Sequence, residues 1–344
     1  MTRVSKNPTD LQVLAGWENF ECRLILSLIK TLPSPEKHCR AWQRFHTVNR
    51  VSVQFTILGS GSSGNCAYLE TSQTRLLIDA GFSGRQIRER LARIARSPER
   101  LDGILITHEH SDHVQGLAAL ASKLNVPIYC NRLTREAIES QMGIRLNCQT
   151  FITGGAFEVG DLQVETFSVP HDASDPVGFL LRTPAGNIGF LTDLGHATKL
   201  VLQRVRPAHV LVLEANHDVK MLQEDIRRPW SLKQRILSRH GHLSNDAAAD
   251  AAQEVMSAEL KHVFLGHLSR DCNRPELAYK TVNERLQKIG ASHVRVELTE
   301  QHLPCPTLDI SAMQNGSATV TPAVPEFPPT SVPRPDFPPQ QVLL

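Results

Sequence analysis

The stretch Thr107-His108-Glu109-His110-Ser111-Asp112-His113 follows directly on the apolar run Gly103-Ile104-Leu105-Ile106. It places three imidazoles and the Asp112 carboxylate on a loop that leaves a buried strand. Histidines at i and i+2 of such a loop can converge on one divalent ion, while Asp112 and His113 can turn toward a second. The spacing predicts two metals, so the fold follows from asking which other strand ends deliver ligands to the same place.

Upstream, residues 51–57 alternate as a strand, and the loop Gly59-Ser60-Gly61-Ser62-Ser63-Gly64-Asn65 turns the chain back into Ala67-Tyr68-Leu69. Without a following helix or a Gly-Lys-Ser/Thr ending this loop is not a P-loop. It is either an edge of the active site or a plain turn, and as an edge it makes Ser63 and Asn65 candidates to support the ligands or touch substrate. Arg75-Leu76-Leu77-Ile78-Asp79-Ala80-Gly81 reads as a buried strand ending in a carboxylate, and a helix is expected over about Ser83 to Arg96. Arginines 85, 88, 90, 93 and 96 read as its solvated face. Asp79 either caps that helix or orients the metal loop from behind. Residues 1–50 do not join the strand pattern. A helix over roughly Leu11 to Lys30 and the breaker Leu32-Pro33-Ser34-Pro35 mark them as an N-terminal extension, partly helical or disordered.

Downstream, a helix over 114–124, a strand over 126–130 and a helix over 133–142 precede strands at 157–159 and 162–169, the last ending at Pro170-His171-Asp172. Strands over 177–182, 187–192 and 210–213 carry Asp193 and the group Glu214-Ala215-Asn216-His217-Asp218 at their ends. Helices are expected over 231–239 and 244–258, with Gly241-His242-Leu243-Ser244 between them. A strand over 262–266 delivers His267, Pro275 opens a helix to about Ile289, and residues 293–298 add a last strand. His209, His240, His262, His293 and His302 read as structural or surface residues. From Pro304 onward, ten prolines and a repeated Phe-Pro-Pro indicate a disordered tail. The expected organisation is an extension (1–50), a hydrolase domain (51–298) and a Pro-rich tail (299–344).

A formal charge of +2 excludes a heavily basic nucleic-acid-coating protein, though a local basic groove fits inside a balanced total. The apolar run over 23–29 is too short to span a bilayer, and the N-terminus has no basic region leading into a long apolar core, so neither membrane insertion nor secretion is expected. Seven scattered cysteines without a C-x-x-C pair argue against a disulfide framework and for a cytoplasmic location.

The polar residues at strand ends, His108, His110, Asp112, His113, His171, Asp193 and His267, form a complete set for two divalent ions, with Asp193 free to bridge them. In this order and spacing, H-x-H-x-D-H followed by a distant His, an Asp after an apolar strand and a final His, they resemble the metallo-β-lactamase fold superfamily over roughly Val51 to Leu298. The resemblance implies a four-layer α/β sandwich (αββα) with the site where the two sheets meet, and it gives Asp79 the place of the family's supporting aspartate. Zinc β-lactamases of the common subclass carry cysteine where Asp193 stands, which weakens an antibiotic-hydrolase reading.

Glu214-Ala215 after a strand, and His242-Leu243-Ser244 opening a helix, are similar to elements of ribonuclease Z type nucleases in which the histidine contacts the scissile phosphate. Residues 56–65 and 267–276 resemble the YycJ (WalJ) group more closely, a group linked to DNA exonuclease activity. No long insertion like the transfer-RNA-binding arm and no β-CASP-type domain is evident.

The expected function is a dinuclear hydrolase, a phosphodiesterase or 5'-3' DNA exonuclease that uses a hydroxide bridging two Zn2+ or Mn2+ ions. Nucleic acid is the expected partner, DNA ahead of RNA. The expected first ion is held by His108, His110 and His171 and the second by Asp112, His113 and His267, with Asp193 on both. Asp112 also aligns the hydroxide, and His242 binds phosphate or protonates the leaving oxygen. Asp79, Ser63, Asn65, Glu214, Asn216 and His217 are candidates to support the ligands or the substrate. A small-molecule phosphodiesterase or a lactone or thioester hydrolase of the same fold is the alternative.

Overall fold

The structure, a computed structural model, describes residues 52–314. The helix expected over Leu11 to Lys30 and the Phe-Pro-Pro repeats lie outside the described residues.

The first half of the chain forms β1 (Gln54–Gly59), β2 (Cys66–Glu70), β3 (Arg75–Ile78), α1 (Gly84–Arg93), β4 (Gly103–Leu105), α2 (Ser111–Val114), α3 (Leu117–Leu124), β5 (Ile128–Asn131), α4 (Arg132–Met142) and β6 (Cys148–Phe151). The second half forms β7 (Ala156–Val159), β8 (Leu162–Ser168), β9 (Val177–Thr183), β10 (Gly186–Leu191), α5 (Lys199–Val205), β11 (Val210–Glu214), α6 (Val219–Glu224), α7 (Trp230–Ile236), α8 (Asn245–Glu254), β12 (His262–Gly266), α9 (Pro275–Lys288) and β13 (Arg295–Leu298). The chain then adds β14 (Leu308–Asp309) and α10 (Ile310–Gln314).

Two seven-stranded sheets result, ordered β14-β1-β2-β3-β4-β5-β6 and β13-β12-β11-β10-β9-β8-β7. β3 to β6 run parallel to one another, as do β10 to β13, and the remaining pairs are antiparallel. Strands β4, β5, β11 and β12 are buried at every position, which is why they read as continuous apolar runs rather than alternating ones. Phe55, Phe179, Phe190 and Phe264 lie in the core between the sheets. Ile87, Leu91 and Leu117 cover the outer face of the first sheet, and Leu202, Ala248, Ala252 and Val282 that of the second. Helix, sheet, sheet and helix layers make the αββα sandwich expected from the sequence.

The boundary expected at 298/299 falls too early. β14 pairs with β1, Cys305 N–H donates to Ile57 O (2.9 Å), Ile310 N–H donates to Val53 O (2.9 Å), and the Ile310 side chain is fully buried between the sheets. Pro304 and Pro306 lack the N–H, but the residues between and beyond them carry the ladder, as proline permits on an edge strand. Proline content read across the whole tail concealed this.

Arg90 is also not part of a solvated face. It is buried, donates to Leu58 O (2.9 Å) and Gln301 O (3.0 Å), and lies 3.9 Å over the Phe82 ring. β6, α5 and α6 were not expected. β6 exposes Gln149 and Thr150 and so shows no apolar pattern, and the two helices are short. Among the described residues no helix is long and apolar enough to cross a membrane.

Candidate metal centre

The C-terminal ends of β3, β4, β8, β10, β11 and β12 meet at one edge of the sandwich, where open α/β sheets place their ligands. Three site residues emerge from their strands in the left-handed conformation: Asp79 (φ 59°), Asp193 (φ 54°) and His267 (φ 54°). Such turns swing a side chain sideways off the strand. Gly81 lets the ligand loop approach, because a Cβ there would stand 1.6 Å from Asp112 O. Across that contact Asn65 N–H donates to Asp112 O (2.8 Å) and Ala80 N–H to His113 O (2.7 Å).

The structure brings all seven expected ligands together. His110 Nδ1 lies 3.0 Å from His108 Nε2 and 3.3 Å from His171 Nε2. Beside this trio, Asp112 Oδ2 lies 3.6 Å from His113 Nε2 and 3.4 Å from His267 Nε2. Asp193 stands between them, with Oδ2 3.1 Å from His113 Nε2 and Oδ1 4.0 Å from His171 Nε2. Donor atoms of His108, His110 and His171 all lie within 4.8 Å of one another, as do those of Asp112, His113 and His267. Asp193 Oδ2 is buried without a hydrogen-bond partner, an anionic oxygen aimed among ring nitrogens. That donor set fits divalent cations, with imidazole and carboxylate suited to Zn2+ or Mn2+.

The rear nitrogen of four rings is held by the protein. Asp79, fully buried, accepts from Thr107 N–H (2.9 Å), from the Thr107 hydroxyl and from His113 Nδ1 (2.7 Å). Thr107 Oγ1 in turn lies 3.0 Å from His108 Nδ1. His171 Nδ1 meets Gly241 O (3.1 Å), and His267 Nδ1 meets Glu214 Oε1 (2.8 Å). Each contact selects the tautomer that leaves Nε2 facing the cluster.

Burial opposes charge at Asp193, yet His267 and His113 beside it hold its carboxyl well below the usual carboxylate range. Asp112 is likewise lowered, since His113 and His267 outweigh its burial. Conversely, burial would lower His113 and His267, but Asp193 and the carboxylates around them raise both rings well above the ordinary histidine value. At His108 and His171 burial outweighs the upward pull of Asp193, and both are pushed down. The pocket is polarised, with acid-rich and histidine-rich halves meeting at Asp193.

At the rim, Glu214 Oε1 also meets His242 Nδ1 (2.7 Å), while Oε2 accepts from Leu194 N–H (3.0 Å). Despite complete burial, the Glu214 carboxyl is held down at about 2 by His242 and His267, and it raises His242 in return.

The remaining candidates divide. Asn65 Nδ2 lies 3.3 Å from Asp112 Oδ2, and Asn216 Nδ2 donates to His267 O (3.0 Å), so both brace the cluster. His217 is buried with neither ring nitrogen partnered, and it contacts α8 through its carbonyl, which accepts from Asn245 N–H (2.9 Å). Ser63 stands apart, exposed, its N–H donating to Gln301 Oε1 (2.8 Å). Sequence reasoning missed Thr107, the Gly241 carbonyl and Ser60, whose hydroxyl accepts from His267 N–H (2.8 Å). A threonine between an apolar strand and the first ligand was the one signal available. Of the histidines expected to be structural, His262 lies 4.3 Å from the Phe264 ring and His209 Nδ1 accepts from Asn187 N–H (3.0 Å).

A family profile described as the β-lactamase superfamily domain matches residues 74–267. Exodeoxyribonuclease YycJ of Bacillus anthracis is 39% identical over 242 residues, covering 70% of this chain and 91% of that protein. Exodeoxyribonuclease WalJ of Streptococcus pneumoniae is 42% identical over 243 residues, covering 70% and 90%. The crystal structure of the metallo-β-lactamase fold protein YhfI from Bacillus subtilis superposes with a TM-score of 0.57 at 16% identity, over 74% of this chain and 99% of that one, which is a likeness of fold.

Proposed function

The chain belongs to the β-lactamase superfamily, and from that membership we propose that it is a two-metal phosphodiesterase acting on nucleic acid, a 5'-3' exonuclease preferring DNA to RNA. Two relatives named exodeoxyribonuclease, each about 40% identical and matched over nearly their whole length, support the substrate class. The observation that carries the chemistry is the join between the two donor sets at Asp193, with the Glu214–His242 pair beside it.

His108, His110 and His171 would hold one ion and Asp112, His113 and His267 the other, with Asp193 placed between the two sets. The chemistry that Zn2+ or Mn2+ would supply there is activation of a water and neutralisation of phosphoryl oxygens. The chain's own residues do the rest. Asp112, with 23% of its side chain exposed and steadied by Asn65, accepts a hydrogen bond from the attacking water and aligns it. His242 is tied through Nδ1 to Glu214, and 22% of its side chain is exposed, so Nε2 is presented to the substrate. Glu214 raises the ring above the ordinary histidine value and so favours its protonated form, which binds a phosphate oxygen and gives its proton to the leaving oxygen.

The test is a substrate panel of labelled single- and double-stranded DNA, RNA, bis(p-nitrophenyl) phosphate, a lactone and a thioester, with Mn2+ or Zn2+ added. The expected result is metal-dependent release of mononucleotides from DNA, abolished by a chelator and by Asp112→Ala or His171→Ala in folded protein. Hydrolysis of the carbonyl esters alone would overturn the assignment.

A further inference from the structure

Helix α7 is a bar laid between two of the loops that carry candidate ligands. At its N-terminal side Arg228 pairs with Asp225 and donates to Asp271 Oδ2 (3.1 Å), and Asp271 sits in the loop that follows His267. Cys272 of the same loop accepts from Asp218 N–H (2.9 Å), next to α6. At its C-terminal side Arg235 pairs with Asp172, His240 O accepts from Asp172 N–H (3.1 Å), and Gly241 O holds His171. The turn over 238–241 also packs on Gly195, two residues beyond Asp193, so closely that a Cβ on Gly195 would stand 2.5 Å from its backbone. The seven residues of α7 span only about 10 Å at an α-helical rise. The whole helix is thus a wall of the candidate site, pinned at both ends and further by buried Lys233, whose Nζ donates to Gln223 O (2.7 Å).

The outer face of that wall is unlike the rest of the chain. Residues 226–240 carry five Lys or Arg and no Asp or Glu; Lys233 is buried and Arg227, Arg228 and Arg235 pair with Asp225, Asp271 and Asp172, which leaves Arg239 as the cation open to a ligand. Trp230 opens α7 with 60% of its surface exposed, and Ile226 before it is 97% exposed. Arg239 is exposed and has no ion-pair partner among the described residues. An uncovered indole on the same segment as one unpaired guanidinium has the chemistry of a strand-holding surface: the guanidinium attracts phosphate, and the indole offers a face on which an unstacked base can lie.

We propose that the α7 wall is the track on which a single strand of nucleic acid lies as it enters the metal centre, with a base stacked on Trp230 and the backbone phosphate on Arg239. The proposal rests on the nuclease reading above and specifies its substrate as a single-stranded or frayed end, because a base inside a duplex has no free face to offer. Charge complementarity decides this occupant over a protein partner.

The experiment compares the metal-loaded wild type with Trp230→Ala, Trp230→Phe and Arg239→Ala. It reads cleavage of single-stranded oligo(dT), cleavage of bis(p-nitrophenyl) phosphate, and anisotropy binding of a phosphorothioate oligo(dT) across a salt series. Trp230→Ala should weaken oligonucleotide binding by about 5- to 150-fold, the range of one lost base stack, and lower the ratio of oligonucleotide to small-diester kcat/KM in proportion. Trp230→Phe should recover most of the loss. Arg239→Ala should reduce the salt slope of binding by about 0.7, one phosphate contact on a single strand. Oligonucleotide affinity and salt slope unchanged in both alanine variants, while the wild type still degrades DNA, would overturn the track and leave the nuclease reading standing. So would a change confined to self-association of the protein. A wild type that neither binds nor cleaves any oligonucleotide would overturn both.

Discussion

Asp79→Asn tests whether one buried carboxylate sets the metal-binding competence of the loop it never coordinates. The wild-type carboxylate is an acceptor on both oxygens: Oδ1 takes Thr107 N–H at 2.9 Å and Oδ2 takes His113 Nδ1 at 2.7 Å, so His113 keeps its proton at Nδ1 and turns a free Nε2 toward Asp193 and Asp112. Asparagine has the same shape and one acceptor fewer. Thr107 N–H claims its carbonyl, and the amide NH2 then faces His113 Nδ1, where only an unprotonated nitrogen is tolerated. The ring must move its proton to Nε2, the atom that should bind metal, or lose the contact. A charge-assisted hydrogen bond of this kind contributes about 1.5–3 kcal/mol, and losing an outer partner of a ligating histidine costs about 10- to 100-fold in metal affinity. Asp79→Asn should therefore raise the dissociation constant of the more weakly held ion by about 10- to 100-fold. Circular dichroism should stay unchanged, and excess metal should restore most of the bis(p-nitrophenyl) phosphate activity. Calorimetric metal titration measures the first effect directly. An Asp79→Asn protein with wild-type metal affinity would refute the tautomer argument, and one that stays inactive at saturating metal would show that Asp79 acts on the chemistry itself.

His242→Ala should lower kcat by about 10²- to 10⁴-fold, the worth of a positioned proton donor, with metal content unchanged by elemental analysis; loss of bound metal would place His242 among the ligands instead. Ile310→Ala should destabilise the fold by about 2–5 kcal/mol in urea unfolding, because the side chain is fully buried between the sheets; a neutral result would mean that β14 and α10 are not part of the cooperative unit. Burial lowers His217 from 6.5 to about 4, so its neutral form contributes stability that is complete above pH 6.5 and lost as pH falls toward 4. The loss is about 3 kcal/mol at most. His217→Phe should flatten that part of the pH–stability curve, and an unchanged slope would show that the ring is solvated in the folded state.

Much of the site was legible because its residues announce themselves chemically. His108 to His113 crowd one loop, and Asp193 and His267 each end an apolar run, so strand periodicity located them and side-chain chemistry named them. Asp79 was legible for the same reason. What escaped is carried by backbone and by tertiary contact: the Gly241 carbonyl that holds His171 belongs to a turn 70 residues away in sequence, and no side chain marks it. Arg90 was misread because a helix's buried arginine looks like its exposed ones until the carbonyls of Leu58 and Gln301 are brought to it. β14 was hidden by its proline neighbours, since composition averages over a segment while a two-residue edge strand needs only its own N–H and C=O groups.

The left-handed turns at Asp79, Asp193 and His267 set stability against activity. A non-glycine residue in that conformation costs on the order of 1–3 kcal/mol, least for aspartate. Glycine at any of the three would relax the backbone while deleting a carboxylate or an imidazole that holds the centre together. Selection of this protein for heat resistance alone would thus favour substitutions at the candidate metal centre, and a variant that melts later would be a poor guide to one that works. Screens for improved variants should score metal binding or turnover alongside melting temperature at these positions.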